Sequence, residues 1–324
     1  MRRTGWRLWV AAFVALIATG CATQTRTLGA AAPDLPVRTE LADTPFFAQQ
    51  EHQCGPAALA TGLASAGFPA DPERLAKQVF LPGREGSLQA EMLAGARRQG
   101  ALALPAPTSL AGLFAEVAAG RPVIILQNLG LAIAPRWHYA VVVGYDRDQG
   151  DVILRSGPNR REVMAMGTFE HTWARSDYWG MVILPPAALP ESADRTMLEK
   201  SLTQLEKFAA PAAMRQWYEQ AARRWPDSLV FMIGLGNAAL ATGQSDEAEQ
   251  AYRTAAVRHP RSAVALNNLA TLLLQRGRLQ EALAVAERAV ALADEWQPEA
   301  EATRDAIRLA IAEPAGSRPI PAAP

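Results

Sequence analysis

The feature that most constrains this chain is a repeat in its second half. Leu235, Gly236, Ala248, Tyr252 and Ala255 recur 34 residues later as Leu269, Ala270, Ala282, Ala286 and Ala289, and Pro226 stands one period before Pro260. Apolar residues within each unit fall at helical spacing. Each unit therefore reads as two helices, with small residues where they approach and large ones filling the groove between them. Such a pair buries its apolar face only against the next pair, so the units must stack. Trp217, Tyr218 and Ala221 mark an earlier helix, giving two to three units, close to the fewest that bury a continuous core.

A 34-residue helix–turn–helix period is that of tetratricopeptide repeats. The expected repeat domain covers 195–312, after a proline-rich linker at 187–194 (PPAALPESAD spans the junction) and before a disordered tail at 313–324. Residues 42–186 are mixed. Helical patterns are expected at 54–66, 71–78, 87–99 and 109–119, and strands at 122–127, 138–145, 151–154 and 180–184. Helices first and strands later indicate an α+β domain, not an alternating βαβ one.

Residues 1–20 read as an export signal, with Arg2, Arg3 and Arg7, a short apolar run at 8–18, and small residues before Cys21. The run is too short to span a bilayer comfortably. Ala18-Thr19-Gly20-Cys21 resembles a bacterial lipobox, which implies cleavage before Cys21 and diacylation of its thiol; two acyl chains suffice for stable anchoring. Ala22, in place of the Asp of inner-membrane retention, implies an outer-membrane lipoprotein facing the periplasm, with 21–41 as the lipidated start and a tether.

Lys plus Arg and Asp plus Glu both number 32, so no cationic excess is available for phosphates and nucleic acid is not an expected partner. The two cysteines are Cys21 and Cys54. Once Cys21 is a thioether, Cys54 has no disulfide partner in the chain and is a candidate reactive thiol.

Cys54 follows a polar loop, Gln49-Gln50-Glu51-His52-Gln53, and begins an alanine-rich helix in which Gly55 permits close approach and Pro56 suits the first turn. The positive end of the helix dipole favours a thiolate there, so an alkylation midpoint below that of a free thiol is expected. A base must come from four histidines. His259 belongs to a repeat loop, and His52 is too close in sequence for a well-aligned bond to the thiol. His138 opens the apolar strand Trp137-His138-Tyr139-Ala140-Val141-Val142-Val143-Gly144-Tyr145 and is the favoured base; His171, in FEHTWARSDYW, is held in reserve. No phosphate-binding loop and no close metal-ligand spacing is evident, so no cofactor or metal is expected.

Gln49…Cys54-Gly55-Pro56-Ala57-Ala58 followed by Trp137-His138-Tyr139-Ala140-Val141-Val142-Val143-Gly144-Tyr145 resembles the papain-like, bacteriocin-processing (double-glycine) peptidases, and within them lipoproteins fused to tetratricopeptide repeats. The resemblance implies Cys54 as nucleophile, His138 as base, and the Gln49 side chain with the Cys54 amide as the oxyanion site; Gln50 is the adjacent alternative. It also implies an Asp or Asn, on the strand after the histidine strand, that orients the imidazole. This chain has Ser156-Gly157 where relatives have Asp-Pro, leaving Ser156 or Asn159 for that place. The expected activity is hydrolysis of peptide or protein substrates, with the repeat groove taking substrate or a protein partner. A degenerate, non-catalytic scaffold acting through the repeats, or a related Cys–His hydrolase such as a cell-wall amidase or a transglutaminase-like enzyme, are the alternatives.

Overall fold

The computed structural model of the chain describes residues 23–48, 53–292 and 295–312. The export signal, Cys21, Gln49, Gln50, His52 and the tail lie outside them. The chain divides into two compact units: one runs to Pro185 and takes in Pro190–Asp194; the other comprises Pro186–Leu189 and residues from Arg195 onward. The expected linker is thus shared. Its second part belongs to the first unit, where Ser192 donates to Glu116 Oε1 at 3.2 Å.

In the first unit the elements run α1 (Thr23–Ala31), β1 (Arg38–Glu40), α2 (Cys54–Ser65), α3 (Pro72–Val79), α4 (Gln89–Arg98), β2 (Leu102–Pro105), α5 (Leu110–Ala118), β3 (Val123–Asn128), β4 (Trp137–Asp146), β5 (Asp151–Ser156), β6 (Asn159–Ala165), α6 (Met166–Ala174) and β7 (Gly180–Leu184). One antiparallel sheet, in the order β2-β7-β3-β4-β5-β6, forms the middle layer. β1 pairs with the Gly144–Asp146 end of β4, beyond the stretch that β3 occupies.

The fold class is the α+β one expected. α2, α3 and α4 cover one face, where Leu59, Leu63, Leu75 and Met92 meet Ile124, Val141 and Ile183. α5 and α6 cover the other. β4 serves both faces because its register shifts between Val142 and Gly144 against β5, inserting one residue. Tyr145 therefore leaves the face of Tyr139 and Val141 and stacks on Phe114 of α5, with centroids 4.3 Å apart.

The tether expected at 21–41 needs correction: its first described residues form α1, which is docked. The buried carboxylate of Glu170 accepts from the backbone N–H of Gln24 (2.9 Å) and Thr25 (2.7 Å) and from the Thr25 hydroxyl (2.6 Å). Gln24 Oε1 in turn accepts from the N–H of Leu110, at the start of α5. A carboxylate satisfies the orphan amides of a helix N-terminus and its dipole together. This cap lies 146 residues away along the chain, so local pattern does not reveal it. Charge-assisted bonds of this kind contribute about 1.5–3 kcal/mol each. Glu170→Ala should therefore release α1 and accelerate tryptic cleavage after Arg26 roughly tenfold or more; an unchanged rate means that other contacts hold the helix.

The second unit is entirely helical among the described residues: α7 (Arg195–Leu205), α8 (Pro211–Arg224), α9 (Leu229–Ala241), α10 (Ser245–Arg258), α11 (Ala263–Gln275), α12 (Leu279–Val290) and α13 (Gln297–Ala312). Neighbouring helices pack as consecutive pairs. Ser228 caps α9 and Ser262, one period on, caps α11, each accepting the N–H three residues ahead. Successive repeats are joined by charge as well as packing. Glu249 accepts from Arg253, Arg276 and Arg278, and Arg253 also reaches Glu281. No helix among the described residues is long and apolar enough to cross a membrane.

Candidate active site

Cys54 is the first residue of α2, and the residues after it, Gly55 to Leu63, are all buried. The helix starts close against the 86–88 loop: a Cβ on Gly55 would lie 2.5 Å from Ser87 Oγ. Tyr139 holds this loop by donating its hydroxyl to Ser87 O at 3.1 Å. The segment leading toward Cys54 is fixed from the sheet, because the buried guanidinium of Arg155 donates to the carbonyls of Ala42 and Thr44. Sequence reasoning missed Arg155; a lone arginine inside the apolar pattern of β5 was the available signal.

β4 brings the residue after its histidine to the same place. The Cys54 sulfur accepts from the backbone N–H of Tyr139, the residue after His138, and from those of Gly55 and Cys54 itself. His138 Nε2 lies 2.9 Å from Ser156 Oγ. Ser156 ends β5 and is joined to Asn159 by a tight turn in which Gly157 adopts φ +57°, a conformation that suits glycine. Asn159 stands exposed at the far side of that turn. Of the two residues considered for orienting the imidazole, the structure brings Ser156 to it.

Burial decides the protonation states. It pushes the Cys54 thiol above its ordinary value, outweighing the three amides that favour thiolate. This overturns the expectation of a low-pKa thiolate: a helix N-terminus helps a sulfur anion, but α2 takes that sulfur out of water. Burial also lowers His138 below its ordinary value; Glu162 opposes that and Arg136 adds to it. At neutral pH the Cys54 thiol and the His138 imidazole are thus both uncharged.

A cleft of about 460 Å³ opens at Cys54. Leu126, Trp137 and Tyr139 line its base, Arg84–Gln89 one side, and Arg175–Asp177 another. The last segment is tied to β3, with the Ser176 hydroxyl bonded to Leu126 O at 2.5 Å and Arg175 donating to the carbonyls of Asn128 and Gly130. Glu85, Asp177 and Tyr178 hold left-handed backbone angles at or beside the two walls, a costly conformation that persists where surrounding structure enforces it. His171, the reserve base, sits on α6 with Nε2 2.5 Å from Arg175 Nη2. His259 belongs to the repeat unit, where its Nε2 meets Asp227 O. Among the described residues no group of three His, Cys, Asp or Glu side chains is placed to hold a metal ion.

Residues 41–181 match the Peptidase_C39 like family, and residues 233–295 match the tetratricopeptide repeat. No curated protein matches the chain. Among solved structures, one described as a C39-like peptidase from Bacillus anthracis is 19% identical, with a TM-score of 0.38 over 45% of this chain and 97% of that one. The Yersinia enterocolitica type III secretion chaperone SycD, in complex with a peptide of the translocator YopD, is 22% identical, with a TM-score of 0.34 over 38% of this chain and 99% of its own.

Proposed function

With a Peptidase_C39-like domain at residues 41–181 and tetratricopeptide repeats at 233–295, we propose that the chain is an exported, lipid-anchored cysteine peptidase acting on peptide or protein substrates. The observation that carries this reading is the convergence of α2, β4 and β5. A thiol at a helix N-terminus touches the amide next to a histidine whose far nitrogen is held by a serine. With Nε2 engaged by Ser156, Nδ1 is the imidazole nitrogen left for the thiol. His138 removes the thiol proton as the sulfur attacks the scissile carbonyl carbon, forming a C–S bond. The Cys54 N–H stabilises the oxyanion, joined by the Gln49 side chain, whose placement lies outside the described residues. The imidazolium returns its proton to the departing amine, and water then hydrolyses the thioester.

Because the resting thiol is neutral, the reactive form is thiol with neutral imidazole. His138 is lowered, so this form persists below the ordinary histidine value of 6.5 and is lost as pH falls through the lowered one; the thiolate appears only above the ordinary thiol range. A peptidyl epoxide should therefore label Cys54 at pH 6, while simple iodoacetamide alkylation should show a midpoint above about 8.5. Folded protein that resists the epoxide at every pH, yet is labelled once unfolded, would leave the non-catalytic scaffold as the reading.

The repeats supply a groove of about 440 Å³, lined by Met232, Leu235, Glu247 and Arg258 among others, suited to an extended peptide of substrate or partner. Anchoring rests on Cys21. Cys21→Ser should shift the protein from the detergent to the aqueous phase on partitioning, and unchanged partitioning excludes lipidation there. Since α1 is docked from Thr23 onward, a lipid on Cys21 holds the peptidase domain close to the bilayer.

A further inference from the structure

We propose that Glu162 is a positioning residue for His138, supplying across the sheet the negative charge that Ser156 lacks. This rests on His138 as the base. The register places the three side chains on one face of the sheet. Val142 pairs with Leu154, and Leu154 pairs with Glu162. Ser156 lies two residues along β5 from Leu154, and His138 four residues along β4 from Val142; the irregularity between Leu154 and Ser156 puts its extra residue in β6, so alternation along β4 and β5 keeps them on that face. Alternation along β6 agrees: Glu162 and Met164 are half-buried while Arg161, Val163 and Ala165 are exposed. Glu162 is also uncommitted, since among the described residues its carboxylate has no ion pair or hydrogen bond. Its neighbour Arg161, by contrast, is bound to Glu40.

The electrostatics run in the same direction. Glu162 raises the proton affinity of His138 through space, against burial and the Arg136 charge. Besides Arg136, Glu162 is the charged group that acts on His138, and Gln127, opposite His138 on β3, is uncharged. Serine therefore supplies the hydrogen bond and Glu162 the charge, two tasks that a single aspartate would combine. The imidazolium formed during acylation is the species this arrangement stabilises.

NMR titration of the imidazole carbon-bound proton of His138 tests this without any turnover, so its result is independent of whether the protein proves to be a peptidase. The resonance is identified by its loss in His138→Gln. Glu162→Gln should lower the His138 titration midpoint by about half to one pKa unit at low ionic strength. Glu162→Asp should keep at least half of the wild-type elevation, and alkylation of Cys54 by a peptidyl epoxide should fall about three- to tenfold in the Gln variant. A midpoint unmoved by Glu162→Gln overturns the proposal, as does an equal drop in Glu162→Asp. Should Glu162→Gln fail to fold, Glu162→Thr, a good strand former, carries the same prediction and the same refutation.

Discussion

His138→Ala slows alkylation of Cys54 by a peptidyl epoxide by about 10²–10⁴-fold, the span a positioned general base contributes, whereas His171→Ala stays within about threefold of the parent. The two histidines differ in what surrounds them. His138 is carried by a strand paired to β3 and β5, its Nε2 is held by Ser156, and the next backbone N–H reaches the nucleophile's sulfur. His171 lies on the outer helical layer and spends its Nε2 on Arg175. The burial that raises the Cys54 thiol makes the base indispensable, because hardly any thiolate forms without one. Labelling by a peptidyl epoxide, followed by mass spectrometry, reads both variants. Retention in His138→Ala with loss in His171→Ala reverses the assignment.

Gly236→Ala destabilises the repeat unit by about 1–3 kcal/mol, the usual cost of forcing one methyl group into a filled core. A Cβ at Gly236 would lie 2.3 Å from the ring of Tyr252 on α10. That ring has no room to retreat: it is buried, and its hydroxyl is anchored on Asn237 Oδ1 at 2.7 Å. On the other side of α9, Gly234 meets the ring of Tyr218 on α8 at 2.3 Å, and Tyr218 is tethered in the same way to Glu206. The helix is thus clasped between two aromatic rings that only a glycine surface accommodates. Thermal unfolding of the whole chain should show the repeat transition lowered by several degrees. An unchanged transition means that the rings move aside at no cost. Gly243→Ala is no control for this, since its positive φ strains alanine for a different reason.

What could be read from residues alone was what the chain encodes locally. The 34-residue period requires stacked helix pairs because Leu235 and Leu269, or Ala248 and Ala282, recur in register, and the structure buries all but Leu235. α2, α3, α4, α5, β3, β4, β5 and β7 all lie where periodicity, Pro and Gly placed them, within a few residues. Cys54 and His138 were visible for the same reason, each marking the beginning of a helix or strand with a strong pattern. α1, β2, β6 and α6 were not legible. α1 draws its cap from Glu170, β2 and β6 are edge strands defined by a single neighbour, and α6 carries an aromatic pattern that fits no single period.

The tertiary structure alone decided everything that depends on who lies across the sheet or how much water is left. It set Ser156 against His138 and left Asn159 in solvent, because a two-residue turn reverses the chain between them. It brought Glu162 onto the histidine's face by register across two strand pairs, a relation with no sequence spacing of its own. It also reversed the expected sign of the Cys54 shift. The helix dipole can be read from a sequence, but the desolvation that outweighs it is a sum over neighbours drawn from the whole domain, and it exists only once the domain has folded.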